Sequence, residues 1–303
     1  MSASDAASDL ELFRAMVRAR HLALRLDALA ESGDVGFCPT SLGEEAAVLG
    51  AASALEARDW LFPSHRDALA ALARGSSIEA LALQAYGAAA SPSRGRMPPA
   101  AFHDARRRVV STGLPFAAHA VHAVGLARAA AKDGVAALVT LTESALEAGA
   151  LHDALNFAGV MRAPVVFLVR GPGEAIPSAS SRAVGYGLGA IEVDGGDARG
   201  VREAVREALG HAREGKGAVI VGATSPGSAG FDAADGLTRL AEALSLGDAE
   251  KTETAAALRE IDAAITAAAR APKPSLSTLF EDVYASPTWN LAAQRATAAR
   301  SPR

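Results

Sequence analysis

Two continuous apolar runs, 137–141 and 164–169, bracket a helical stretch over 145–160. Both runs are rich in Val and Leu and lack alternation, the pattern of strands buried on both faces of a parallel sheet. Further strand candidates lie at 190–193 and 218–222, and a second helix at 199–213 separates them. Strands alternating with helices predict a doubly wound α/β fold with a mainly parallel sheet. In such sheets ligands sit beyond the carboxyl ends of the strands. Glu143 and Arg170 stand at two such ends, which places the candidate site there.

The remaining segments fit around that sheet. A helix is expected over 9–32, carrying Arg14, Arg18, Arg20 and Arg25 as a solvated basic face, with a ligand or subunit contact as the alternative. A second helix starts near Gly43, where Glu44 and Glu45 complement the helix dipole. The segment 59–63 reads as a turn, and His65-Arg66 opens a further helix running to about Arg74. A cation at a helix N-terminus opposes the dipole, so Arg66 calls for an anion or a salt bridge to Asp67 or Asp59. Residues 87–108 are loop-like, and 116–131 are helical, with His119 and His122 three apart on one face. Packing, rather than metal binding, is the expectation for that pair. Asp197 is the expected N-cap of the helix that follows it.

Residues 223–236 have a flexible composition, and helices follow at 237–247 and 248–271. An apolar stripe of Leu276, Leu279, Phe280 and Val283 comes next, and the last dozen residues are expected to fray. The expected organisation is an α/β domain over 1–230 with a helical N-terminal part, and a helical C-terminal extension over 231–303 packing on it.

Composition narrows the function. The net charge is −4 with dispersed basic residues, which argues against nucleic acid as a partner. The lone Cys38 excludes a disulfide framework within the chain. Cys38 with His21 or His65 as a nucleophile pair is unsupported by spacing. No apolar run is long enough to span a membrane, and the first ten residues, with two Asp and no basic residue, do not read as a targeting peptide. The expected location is cytoplasmic. Phosphate-binding glycine loops, nucleophile elbows and zinc spacings are missing from the sequence.

The order of several short segments says more. Leu12-Phe13-Arg14-Ala15-Met16, Gly43-Glu44-Glu45-Ala46-Ala47, Phe62-Pro63-Ser64-His65-Arg66 and Gly95-Arg96-Met97-Pro98 come in turn. His122-Ala123-Val124-Gly125, His152-Asp153-Ala154-Leu155-Asn156-Phe157-Ala158, Val193-Asp194-Gly195-Gly196-Asp197 and Leu279-Phe280-Glu281-Asp282-Val283-Tyr284 follow. Over roughly 10–295 the chain resembles the alpha subunit of the thiamine-diphosphate-dependent decarboxylating component of 2-oxo acid dehydrogenase complexes, of the pyruvate and branched-chain types.

The resemblance implies a thiamine-diphosphate-binding fold and a beta-subunit partner in an α2β2 tetramer, with self-association as the other option. It implies oxidative decarboxylation of a 2-oxo acid, with the acyl group passed to a lipoyl-bearing acyltransferase. Alpha would grip the diphosphate and magnesium; the activating glutamate would come from beta. The family's Gly-Asp-Gly aligns with Thr142-Glu143-Ser144, and its asparagine pair with Gly171-Pro172. Glu143 thus stands at one magnesium-ligand position with a side chain one methylene longer, and Pro172 at another with no side-chain oxygen. Thr142 and Ser144 put Cβ atoms where glycines admit the diphosphate. The family's tyrosine-arginine pair aligns with His65-Arg66, and Arg170 matches an arginine of some members. The residues expected at the cofactor are therefore His65, Arg66, Glu143, Ser144 and Arg170, with Glu143 also the candidate metal ligand. Weakened or lost thiamine diphosphate and magnesium binding is expected, a non-catalytic homologue that pairs with a beta-type subunit or binds another anion being the alternative. The loop after the last strand, 224–236, lacks the family's histidines.

Overall fold

The computed structural model describes residues 3–111, 116–172, 179–225 and 235–300. The chain opens with α1 (Ala3–Glu31) and α2 (Glu45–Ser53), then β1 (Trp60–Phe62), a 3-10 helix (Ala68–Arg74) and α3 (Ile78–Ala85). Next come α4 (Ala118–Ala130), β2 (Ala137–Thr142), a 3-10 helix (Glu143–Glu147), α5 (Gly149–Met161), β3 (Val165–Gly171) and α6 (Ala179–Gly185). β4 (Gly189–Asp194), α7 (Ala198–His211), β5 (Val219–Thr224), α8 (Gly236–Ala243), α9 (Asp248–Arg270) and α10 (Trp289–Arg300) complete it.

The five strands form one sheet in the order β1-β2-β3-β5-β4, and every pairing is parallel. The unbroken apolar runs are explained by helices on both faces. Leu138, Val166, Leu168 and Val221 face a layer made from α1, α2, α3, α7, α8 and α9. Val139, Leu141, Val165, Phe167 and Val169 face the opposite layer, from α4 and α5. Successive strand residues point to opposite faces, so this partition also fixes where the polar residues at the strand ends turn.

Several local expectations change. The 59–63 turn holds strand β1, whose three residues pair with Ala137, Leu138 and Val139 of β2. His65 and Arg66 lie in a turn, and the helix after them is a 3-10 helix starting at Ala68. The helix expected from 145 is split, with a 3-10 helix before α5. Of the last dozen residues, expected to fray, the described ones, 292–300, belong to α10, which has no buried residue.

Of the arginines of α1, Arg25 is exposed as expected, while the other three are paired within the fold. Arg14 and Arg18 pair with Glu253 and Glu260 of α9 at 2.7 and 2.9 Å. Arg20 is buried between Glu45 and Asp235, each at 2.6 Å. Glu45, expected to do no more than complement a helix dipole, thus anchors α2 to α1. The loop 226–234, where histidines are missing from the sequence, lies outside the described residues.

Candidate functional site

The site is built where β1, β2 and β3 end. Beyond β1 the chain gives Ser64, His65, Arg66 and Asp67; beyond β2, Glu143 and Ser144; beyond β3, Pro172. The stretches 112–115, 173–178 and 226–234, which adjoin α4, β3 and β5 in sequence, lie outside the described residues.

A buried polar network sits at its centre. Asp67 is fully buried and accepts hydrogen bonds from Ser64 Oγ at 2.6 Å and Thr140 Oγ1 at 2.5 Å. Its other oxygen pairs with Arg170. Burial pushes the Asp67 carboxyl up, but the Arg170 charge and the hydrogen bonds from Ser64, Thr140 and Arg170 outweigh it and hold the group below its ordinary value. Arg170 is equally buried. Its second nitrogen donates to Glu44 Oε2 at 2.8 Å. Burial favours the neutral guanidine, but Asp67 and Glu44 prevail and keep Arg170 charged.

Arg170 was placed at a strand end by its sequence position. The structure carries β3 on through Gly171, with Arg170 paired in register with Thr142 of β2. It shares the parity of Val166 and Leu168, so its side chain turns into the layer holding α1 and α2. Two carboxylates already occupy it there.

Arg66 is different. Asp67 is engaged by Arg170, and Asp59 by Arg213, so neither expected salt bridge forms. Arg66 Nε donates to the carbonyl of Thr40 at 3.1 Å, and its guanidinium has no carboxylate partner among the described residues. His65 stacks edge-on against Phe116 at 5.2 Å. Burial lowers the His65 pKa; Asp67 opposes this, while Arg66 and Arg170 reinforce it. Each arginine thus acts on the His65 charge.

Glu143 begins the 3-10 helix after β2 and is half-buried. It lies over Gly171, where an added Cβ would come within 2.6 Å of Glu143 Oε2. The hydroxyls of Thr142 and Ser144 bond each other at 2.8 Å. No group of three or more His, Cys, Asp or Glu side chains that could hold a metal ion occurs among the described residues. Magnesium requires about six oxygens at about 2.0–2.1 Å. Among the described residues Glu143 belongs to no such group, and Pro172 adds no side-chain oxygen, which does not fit that ion.

The remaining candidates resolve into packing. His119 is buried, and its Nε2 lies 3.1 Å from the carbonyl of Thr140, beyond the end of the β1 ladder. His122 is exposed. Cys38 is buried, which pushes its thiol up to about 11, with Asp27 adding to the effect. The network missed from the sequence is Glu44, Asp67 and Thr140. The only hint was Asp67 directly after Arg66; pairing it with Arg170 required the sheet register.

Comparison with known proteins follows the same region. Residues 14–225 match the family model described as dehydrogenase E1 component. The 2-oxoisovalerate dehydrogenase subunit alpha of Bacillus subtilis is 34% identical over 226 residues, covering 70% of this chain and 68% of the relative. The human mitochondrial counterpart is 28% identical over 327 residues, covering 96% and 74%. The mouse counterpart is 31% identical, and the match spans 48% of its length. Among solved structures, a transketolase from Leishmania mexicana is 16% identical with a TM-score of 0.44, covering 89% of this chain and 48% of that one. Among the described residues no helix is long and apolar enough to cross a membrane.

Proposed function

The chain belongs to the dehydrogenase E1 component family, and on that premise we propose that it is the alpha-type subunit of a 2-oxo acid dehydrogenase whose grip on thiamine diphosphate and magnesium is weakened or lost. Its partner is a beta-type subunit, which supplies the activating glutamate, and beyond it a lipoyl-bearing acyltransferase. The similarity to 2-oxoisovalerate dehydrogenase alpha subunits supports a branched-chain 2-oxo acid as substrate.

One observation carries the weakened grip. Where the resemblance puts two magnesium ligands, Glu143 overlies Gly171, Pro172 offers no side-chain oxygen, and no group of three or more His, Cys, Asp or Glu side chains that could hold a metal ion occurs among the described residues. The diphosphate end keeps Arg66, while Arg170 is neutralised by Asp67 and Glu44. When bound, the cofactor would supply the carbanion chemistry of decarboxylation; Arg66 and His65 are the described residues that would face its phosphates.

A second reading, a non-catalytic homologue that pairs with a beta-type subunit or binds another anion, is favoured by the buried ion pairs of Arg170 alone. Co-expression with a beta subunit separates the two. The first reading predicts a co-purifying complex that decarboxylates a branched-chain 2-oxo acid feebly, and more strongly once Pro172→Asn and Glu143→Asp are combined. A complex with no activity in either form would leave only the second. Failure to form any complex would contradict the first and leave, of the second, only the binding of another anion.

A further inference from the structure

The charges around Arg170 differ in how they meet solvent. The side chains of Arg170 and Asp67 are fully buried, whereas that of Glu44 retains 14% of its exposure. Glu44 is thus the one member of the trio through which Arg170 can be reached. Arg170 Nε is buried without a hydrogen-bond partner. Asp67 already supplies one full negative charge and is held in place by Ser64 and Thr140. Glu44 has no such scaffold for its carboxylate: its backbone carbonyl accepts from Val48 at 3.1 Å, but its side chain bonds Arg170 alone among the described residues. The same segment reaches Arg66, through the Thr40 carbonyl.

We propose that Glu44 is an internal counter-anion: it occupies the accessible side of Arg170, and a polyanionic phosphate of the pyrophosphate class binds beside Arg66 and Arg170 only by displacing it. This rests on the reading that these strand ends are the diphosphate end of the family's site. The physical reason is charge. An incoming diphosphate meets Arg66 and Arg170, but also two carboxylates aimed at Arg170, and a like charge a few ångströms away in a partly desolvated site is strongly repulsive. Asp67 cannot leave, because it is buried and held by three partners. Glu44 can, since releasing it returns a carboxylate to water while Arg170 exchanges one oxygen anion for another. Glu44 therefore sets the affinity of the site without touching the reacting atoms.

The test is calorimetric titration of the full chain with inorganic pyrophosphate in EDTA. Glu44→Gln keeps the shape and removes the charge, and its affinity is expected to exceed that of the wild type by about tenfold or more. Adding Arg66→Ala is expected to erase the gain, which a merely loosened fold would not do. Equal or weaker binding by E44Q, in protein whose melting transition shows it folded, overturns the proposal. If E44Q does not fold, Glu44→Asp carries the same test with the same sign, because it withdraws the charge by one methylene. The titration needs neither a beta subunit, thiamine diphosphate nor magnesium. A chain that shows the gain but forms no complex with beta refutes the family role alone; a chain that forms the complex but shows no gain refutes the counter-anion alone.

Discussion

At the scale of single residues, Asp67 decides whether Arg170 can be buried at all. A guanidinium with no exposure needs a partner that is equally fixed, and Asp67 is fixed by Ser64, Thr140 and Arg170 together. Breaking a buried pair leaves an uncompensated charge, so Asp67→Asn is expected to cost about 3–5 kcal/mol, read from the denaturant midpoint. The pH dependence has a definite sign. The folded carboxyl titrates below its ordinary value. Its contribution is thus complete above the unfolded value of about 3.9 and is lost as pH falls through the lower folded value. Denaturation measured from pH 6 downward is expected to show the wild type losing stability in that acid range, with a shallower loss in Asp67→Asn; parallel profiles would contradict it. None of this was legible from sequence. Glu44 and Asp67 lie 126 and 103 residues from Arg170, and the one local hint, Asp67 directly after Arg66, points to the wrong arginine. By contrast Arg66 was legible: a cation just ahead of a helix start stood out, and the structure leaves it without a carboxylate among the described residues.

At the scale of elements, the strands with continuous Val and Leu were readable, because a residue buried on either face of a parallel sheet has only one composition to choose from. β1 was not. Its three residues lie between Asp59 and Pro63, which read as turn punctuation, and only pairing with β2 makes them a strand. Asp197 was readable as a cap for a local reason, since its carboxylate accepts from Arg199 N and Gly200 N at 3.1 and 3.0 Å. Asp197→Ala is expected to cost about 1 kcal/mol, measured by thermal or urea unfolding. Glycine also has a specific place at the crossing of α2 and α7. A Cβ at Gly50 would fall 2.6 Å from the carbonyl oxygen of Ala198. Gly50→Ala is expected to destabilise by about 1–3 kcal/mol through forced separation of the two helices, although the same change favours an isolated helix. A more stable variant would show that the crossing relaxes freely.

At the scale of the whole molecule, the order of short segments carried the family, while the chemistry of the site depended on what those segments bring together. The arginine face of α1 illustrates the difference. As a sequence it looked solvated; in the fold it pairs with α9 more than two hundred residues later. The strand ends follow the same logic: the positions that the resemblance assigns to magnesium and the diphosphate come in order, but Glu143 overlies Gly171, and Arg170 is turned inward to two carboxylates. We therefore propose an alpha-type E1 subunit whose cofactor grip is weakened. Calorimetric titration with thiamine diphosphate, with and without magnesium and in the presence of the beta subunit, tests it most directly. The account predicts binding too weak to saturate at micromolar cofactor and little changed by magnesium; saturable micromolar binding that requires magnesium would contradict it.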